Sequence, residues 1–553
     1  MQCCILRSRP SSPHRSSDST VSAEVSAALG ATASTDAVHD RDRSTPRRRA
    51  ARALLLAIVF ICAACGLVYQ LALVSLGSYL IGNTATQASI VLSVMVFAMG
   101  VGSLAAKPVQ HRPVLWFATI ELALALLGGL SVMVLYGAFA YLSMYTAAMV
   151  VVAFVLGLLI GAEIPLLMVL LQRIRRQDAG SAVADLFAAD YIGALLGGLA
   201  FPFLLLPIFG QLRGAIAVGL VNAIAGLVLV IVLFRRDLSR RALTAVGLGA
   251  ATVATVLVAA FAYSTTFEVT TRQALYRDPI VLATHTQYQD IVMTASRTPG
   301  GEDDVRLFLN GDLQFASGDE YRYHEALVHP VMAAHPKRVL ILGAGDGLAL
   351  REVLAYPTES ITLVEFDPQM IHLARTDPRL TRLNRDSMND PRARVIAADA
   401  FNWLRTTGET FDAVIIDMPD PDETATAKLY STEFYTLVAA HLRDGGTIAV
   451  QAGSPYFAPR SFWCIGSTLA NAGLRISPYH VDVPSFGDWG FFLAARDQPV
   501  LRMRSPSPTR FLSDDELGAA QVFPRDRQPL NMAPSTLMDP RILRYAQGEW
   551  NQY

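Results

Sequence analysis

The sequence predicts a membrane domain of several α-helical spans, then a small β subdomain, then an α/β domain with a parallel sheet. Three observations carry that reading. At 553 residues the chain exceeds one ordinary domain. From Ala53 to Tyr263 it is almost continuously apolar, whereas from Thr265 onward acids and bases return at the density of a water-soluble enzyme. Within that second half, β-like and helix-like runs alternate.

Residues 1–46 are rich in Ser, Ala, Arg and Asp without an apolar period, and read as a disordered leader. Its acids, among them Asp18, Glu24 and Asp36, are unlike a transit peptide. Residues 47–263 form the expected membrane domain, a multi-pass segment of the cell membrane. Crossing a bilayer takes about 20 apolar residues, and seven stretches qualify: 53–80, 88–106, 114–137, 144–171, 191–210, 213–234 and 242–263. Basic residues gather in alternate connections: Arg47–Arg49 with Arg52; Lys107 and Arg112; Arg173, Arg175 and Arg176; Arg235, Arg236, Arg240 and Arg241. The positive-inside rule puts these in the cytoplasm, and an odd number of spans then puts the second half on the other side. Glu163, before Pro165, is a carboxylate at membrane depth, where a functional role and a protonated or paired one weigh equally. Asp190 reads as a helix cap at the interface.

The net charge of −1 and the absence of a basic stripe exclude nucleic acid as a partner. The five cysteines offer neither a disulfide framework nor a metal-ligand spacing.

In the second half, residues 264–310 are expected to form the β subdomain, with runs Ile280–Ala283, Tyr288–Ala295 and Val305–Leu309 and a Pro-Gly-Gly turn at 299–301. Residues 311–498 form the α/β domain and 499–553 a C-terminal extension. Strands are expected at Arg338–Leu342, Ser360–Val364, Ala393–Ile396, Ala413–Ile416 and Thr447–Gln451, with helices between them. That alternation implies helices on both faces of a parallel sheet, whose ligands sit at the carboxyl ends of the strands.

Those ends carry the chemistry. The first strand runs into Gly343-Ala-Gly-Asp-Gly347, where Gly343 and Gly345 let backbone approach a ligand. The second ends at Glu365, about twenty residues on, the place of an acid that accepts from ribose hydroxyls. The third leads to Asp399-Ala400, an acid placed to accept from an adenine amino group; a helix N-cap is the alternative, and the position at a third consecutive strand end favours ligand contact. The fourth empties into Asp417-Met-Pro-Asp420-Pro-Asp422-Glu423, four acids within seven residues, a poor site for phosphate and a good one for a cation.

In order along the chain, several segments together resemble the spermidine synthase family of aminopropyltransferases, in its membrane-bound branch. They are Tyr288-Gln289, Asn310-Gly-Asp-Leu-Gln314, Asp319-Glu-Tyr-Arg-Tyr323-His324-Glu325, the glycine loop, Val364-Glu-Phe-Asp367, Asp399-Ala400, Asp417-Met-Pro-Asp420-Pro421, Leu429–Tyr435 and Pro484–Phe491. The resemblance covers Tyr276 to the C-terminus. It implies a Rossmann-like, class I methyltransferase-like fold, with decarboxylated S-adenosylmethionine as co-substrate, putrescine or a related diamine as acceptor, and no metal or other cofactor. It implies Asp417 as catalytic base with Tyr323 assisting. Gln289, Gly343, Gly345, Glu365, Asp399 and Ala400 would hold the donor, and His324, Asp346, Asp417 and Asp420 the polyamine. A homodimer or homotetramer is compatible with it.

Three departures stand out. Ala344 replaces a usual glycine, Asp422-Glu423-Thr424 replaces a usual Gly-Pro, and Val483 stands where an acceptor tyrosine is usual. Two other functions are expected to compete. Methyl transfer from intact S-adenosylmethionine would need a counter-charge for the donor carboxylate, which Asp346, Asp417 and Asp420 do not provide. A non-catalytic membrane carrier or sensor of polyamine would explain the apolar half. A cytosolic nucleoside donor, for its part, argues for a cytoplasmic enzyme.

Overall fold

The computed structural model describes residues 46–81, 84–142, 144–174, 179–297, 301 and 303–550. The leader up to residue 45, Arg175 and Arg176, and Pro299-Gly300 of the expected turn lie outside the described residues.

The apolar half is a bundle of α1 (Pro46–Ile81), α2 (Thr84–Ala105), α3 (Pro113–Leu142), α4 (Tyr145–Ile174), α5 (Ala179–Ala200), α6 (Leu206–Val228) and α7 (Arg240–Leu275). Among the described residues, six helical elements are long and apolar enough to cross a membrane, where the sequence suggests seven stretches. The difference is that α5 and α6 belong to one 52-residue element, Val183–Phe234. Within it Gly210 leaves helical geometry, at φ 69° and ψ −179°, a conformation that glycine adopts without a Cβ clash.

The chain reverses there. Gly193 and Gly197 of α5 face Phe60 and Ala64 of α1, so those helices run parallel. Gln211 of α6 donates to Ser75 at 2.8 Å, while Val218 accepts from Cys65, so α6 runs antiparallel to α1. α2 and α4 touch backbone to backbone: a methyl group on Gly102 would lie 2.0 Å from the Leu158 carbonyl oxygen, the close approach that small residues permit between apolar helices.

α7 outruns the apolar stretch, so residues 264–275, expected in the β subdomain, are helical. A four-stranded antiparallel sheet follows in the order β1 (Ile280–His285), β2 (Asp290–Arg297), β3 (Asp303–Leu309), β4 (Asp312–Ala316). Its last strand lies beyond the expected boundary at residue 310. Tyr79 at the end of α1 donates to Asp290 at 2.7 Å, tying bundle to sheet.

After α8 (Glu320–Met332) comes a seven-stranded sheet of β5 (Arg338–Gly343), β6 (Ser360–Glu365), β7 (Ala393–Ala397), β8 (Phe411–Asp417), β9 (Leu442–Gln451), β10 (Arg475–Val483) and β11 (Gly487–Ala495). The five expected strands are β5 to β9, all parallel, and β10 and β11 add an antiparallel hairpin. Unbroken apolar runs such as Val339–Leu342 and Ala413–Ile416 are fully buried, as strands covered on both faces must be.

The order β10-β11-β9-β8-β5-β6-β7 reverses between β5 and β8, the switch point that opens a ligand crevice. There Gly343 is in register with Asp417. The C-terminal segment is part of the fold. Backbone N–H groups of Arg510, Phe511 and Leu512 donate to Glu325, and Ile542 and Ala546 are fully buried.

Candidate active site

Because β5 and β8 are neighbours, their loops form one wall. Gly343 has φ 85°, and a methyl group on it would lie 2.0 Å from the Asp417 carbonyl oxygen, so only glycine lets the two turns meet. Ala344 is also left-handed, at φ 55°, and its N–H donates to the same carbonyl at 3.1 Å. Glu365 accepts from the Asp367 N–H through Oε1 at 2.9 Å. Its Oε2 stands over the glycine loop, 2.7 Å from where a Gly345 methyl would be.

A cavity of about 640 Å³ lies along these strand ends. Its lining includes Gly343, Gly345, Asp346, Glu365, Asp399 and Ala400 together with Tyr323, His324, Asp417 and Asp420. Of the residues predicted for the site, Gln289 is outside this lining; its amide donates to Asp367 at 3.0 Å, behind the Glu365 turn. Asp399 lines the cavity with its carboxylate engaged: Oδ1 caps the Asn402 N–H at 2.8 Å and Oδ2 binds Lys428 at 2.6 Å. The helix-cap role is therefore the one the geometry displays.

The acidic side is tightly organised. Tyr323 donates to Asp417 Oδ1 at 2.5 Å. Asp420 accepts from Gln451 Nε2 at 3.2 Å, and the same amide donates to the Met418 carbonyl at 2.6 Å. Burial pushes Asp417 up to about 6; His324 pulls it down and Asp346 pushes it further up. Burial likewise raises Asp420 to about 7, Glu365 to about 7, and Asp346 above the usual carboxylate range.

His324 goes the other way. Burial opposes its charge, but Glu320, 2.9 Å from Nδ1, wins and raises it to about 9. Arg351 grips both oxygens of Glu320, at 3.0 and 2.9 Å. Burial disfavours the Glu320 charge, yet His324 and Arg351 hold it down to about 2. Of the four raised acids, Asp346 and Asp417 feel the charge of the His324 ring, and Lys428, the other cation of the lining, is engaged by Asp399.

Several lining residues carry no role in the sequence reading. Gln451 ends β9, so the same strand-end rule would have found it. Gln314 and Asp312 lie in the Asn310–Gln314 segment, and Lys428 just before Leu429–Tyr435. Val483 is fully buried at the end of β10, and the wall beside it is made instead by Ser485, Phe486 and Trp489. Asp319 fixes that wall, accepting from the Ser485 N–H at 2.6 Å and its hydroxyl at 2.9 Å.

The fold is thus a class I methyltransferase-like α/β domain carried on a helical bundle, with its crevice lined by acids. Residues 320–502 match the spermine/spermidine synthase domain. Polyamine aminopropyltransferase 1 of Streptomyces coelicolor is 58% identical over 509 residues, covering 91% of this chain and 96% of that protein. The polyamine aminopropyltransferases of Corynebacterium efficiens and Mycobacterium tuberculosis are 47% and 46% identical, over 89% and 90% of this chain and 95% and 97% of theirs. A crystal structure of spermidine synthase with the transition-state analogue AdoDATO aligns at 23% identity and TM-score 0.41, over 50% of this chain and 89% of that one. The chain belongs to the polyamine aminopropyltransferase family.

Proposed function

We propose that the protein transfers the aminopropyl group of decarboxylated S-adenosylmethionine to putrescine, giving spermidine, or to a related diamine, giving the corresponding triamine, and releases methylthioadenosine. The observation that carries this reading is the convergence of Asp346, Asp417 and Asp420 on one cavity that also holds Glu365 and the glycine loop. Glu365 suits ribose hydroxyls, and the acids suit the ammonium groups of a diamine. Buried carboxylates raised toward neutrality lack a cation, and a bound ammonium supplies it.

An alkylamine with a lysine-like pKa near 10.4 is about three units from neutrality in the cell, so presenting its free base costs roughly 4 kcal/mol. Asp417 takes that proton, with Tyr323 orienting its carboxylate. The amine nitrogen then bonds to the propyl carbon beside the sulfonium, the carbon–sulfur bond breaks, and its electron pair stays on sulfur as neutral methylthioadenosine leaves. The sulfonium is already a leaving group, so the remaining contribution is alignment of two bound reactants. An arriving ammonium also disfavours the His324 charge. Loss of the proton from Nε2, with Nδ1–H kept on Glu320, turns the ring into an acceptor.

The test is incubation of purified protein with labelled donor and putrescine. Methylthioadenosine and spermidine are expected in equal amounts; no methylthioadenosine with any diamine would overturn the reading.

The bundle is proposed to lie in the cell membrane. Support comes from its large apolar side chains turned outward, Phe203 at 78% and Phe97 at 67% exposed among them. Helix directions put the connections bearing Lys107 and Arg112, and Arg235, Arg236, Arg240 and Arg241, at the end opposite the α/β domain. The positive-inside rule then favours a non-cytoplasmic α/β domain. A phosphatase reporter fused after Tyr553 is expected to be active, and an inactive one beside a fluorescent cytoplasmic reporter would reverse the orientation.

A further inference from the structure

Away from the catalytic cavity, the helical bundle brings a thiol and two carboxyl groups to one point. Cys62 of α1, Glu121 of α3 and Glu163 of α4 each offer a ligand atom, all within 4.8 Å of one another. All three are buried, at 3%, 0% and 7% exposure. Glu121 Oε2 accepts from Asn222 of α6 at 2.8 Å and from Cys62 Sγ at 3.5 Å. Its Oε1 is buried without a hydrogen-bond partner. The ion pair Arg52–Asp185, at 2.5 Å, is spent elsewhere in the bundle. Glu121 is also held in place from behind, because a methyl group on Gly226 would lie 2.7 Å from its Cβ.

Carboxyl groups at this depth need a cation. A proton shared between Glu121 and Glu163 would serve those two, but it leaves unexplained why a third helix brings a thiol to the same point. Sulfur is a weak hydrogen-bond partner and a strong ligand for metals of borderline softness. Tetrahedral zinc takes thiolate at about 2.3 Å and carboxylate oxygen at about 2.0–2.2 Å, which sets ligands roughly 3.5 Å apart. Side-chain rotation closes the present separations, at most 4.8 Å, to that spacing.

We propose that Cys62, Glu121 and Glu163 bind one divalent cation of the zinc class inside the bundle, joining α1, α3 and α4. Binding releases the Cys62 proton and any proton on the carboxyl pair, so affinity rises with pH. The site is separate from the cavity proposed for aminopropyl transfer.

The experiment uses the full-length protein in detergent, stripped with chelator and then given Zn²⁺ alone or Co²⁺ alone. Uptake of about one zinc per chain is expected, together with a thiolate-to-cobalt charge-transfer band in the near ultraviolet. Cys62→Ser should remove the band, and Glu121→Gln should weaken zinc binding by at least about tenfold. Both variants are checked for methylthioadenosine binding, which an intact α/β domain retains. Failure of the wild-type protein to take up either metal, a cobalt spectrum without the thiolate band, or unchanged uptake in both variants would overturn the proposal. The first two outcomes do not depend on any variant folding.

Discussion

Tyr323 of α8 reaches the end of β8 and donates its hydroxyl to Asp417 Oδ1 at 2.5 Å, leaving Oδ2 for the cavity. On the proposed mechanism, that bond sets which carboxylate oxygen meets an incoming amine. Asp417→Asn is expected to lower kcat by about 100-fold or more, the scale of a lost general base. Methylthioadenosine affinity, measured by calorimetry, should stay within about twofold, since the nucleoside side of the site is untouched. Tyr323→Phe should cost less, because the base survives and only its orientation loosens. Unchanged turnover in Asp417→Asn would remove this residue from the mechanism.

The acidic cluster makes a signed pH prediction. Native-state values of about 6 for Asp417 and about 7 for Asp420 and Glu365 are raised. Their contribution to stability is therefore full below the ordinary carboxylate range and is lost as pH rises through 6 to 7. Glu320, held at about 2, contributes above its ordinary range and loses that only as pH falls toward 2. Ligand-free protein should thus melt at a lower temperature at pH 8 than at pH 5.5, and a bound diamine should reduce the difference. Activity runs the other way, with kcat/KM falling on the acid side as Asp417 protonates near pH 6. A flat melting profile would contradict the electrostatic account.

Glu365→Gln keeps the shape of the donor side and removes its charge. A hydrogen bond to an ionised acceptor is worth about 1.5–3 kcal/mol, so methylthioadenosine should bind roughly 10- to 150-fold more weakly. Titration of the purified variant checks this. The diamine KM should change far less, because Asp417 and Asp420 keep their charge.

The sheet and most of the site were legible because their signals are local. Buried parallel strands read as apolar runs, and the residues after them fall at strand ends by rule. The hairpin β10–β11 was not legible, because Pro478 and the mixed polarity of Arg475–Val483 hide a strand whose pairing is set by β9. Lys428 could not be seen facing Asp399, 29 residues away, since only the fold brings them together. The resemblance gives Gln289 to a nucleoside, whereas its partner is Asp367, 78 residues on. In the bundle, hydropathy separates 191–210 from 213–234, and the chain does reverse at Gly210 between them; which helices pack against one another it does not show.

The joint between the two halves yields the last prediction. Asp290 is 2% exposed and accepts from Tyr79 at 2.7 Å, with Arg272 of α7 3.7 Å away. Burial works against the Asp290 charge, but His285, Arg272 and Tyr79 together hold it below the usual range. Tyr79→Phe removes a donor from a buried carboxylate, a cost of about 1–3 kcal/mol, and should lower the melting temperature of the joined protein. Asp290 directly follows Gln289, whose amide holds Asp367 beside Glu365. The same substitution should therefore raise the donor KM while leaving kcat nearly unchanged, a split that general destabilisation would not produce. Equal losses in both constants would show that the joint only holds the halves together and does not position the donor.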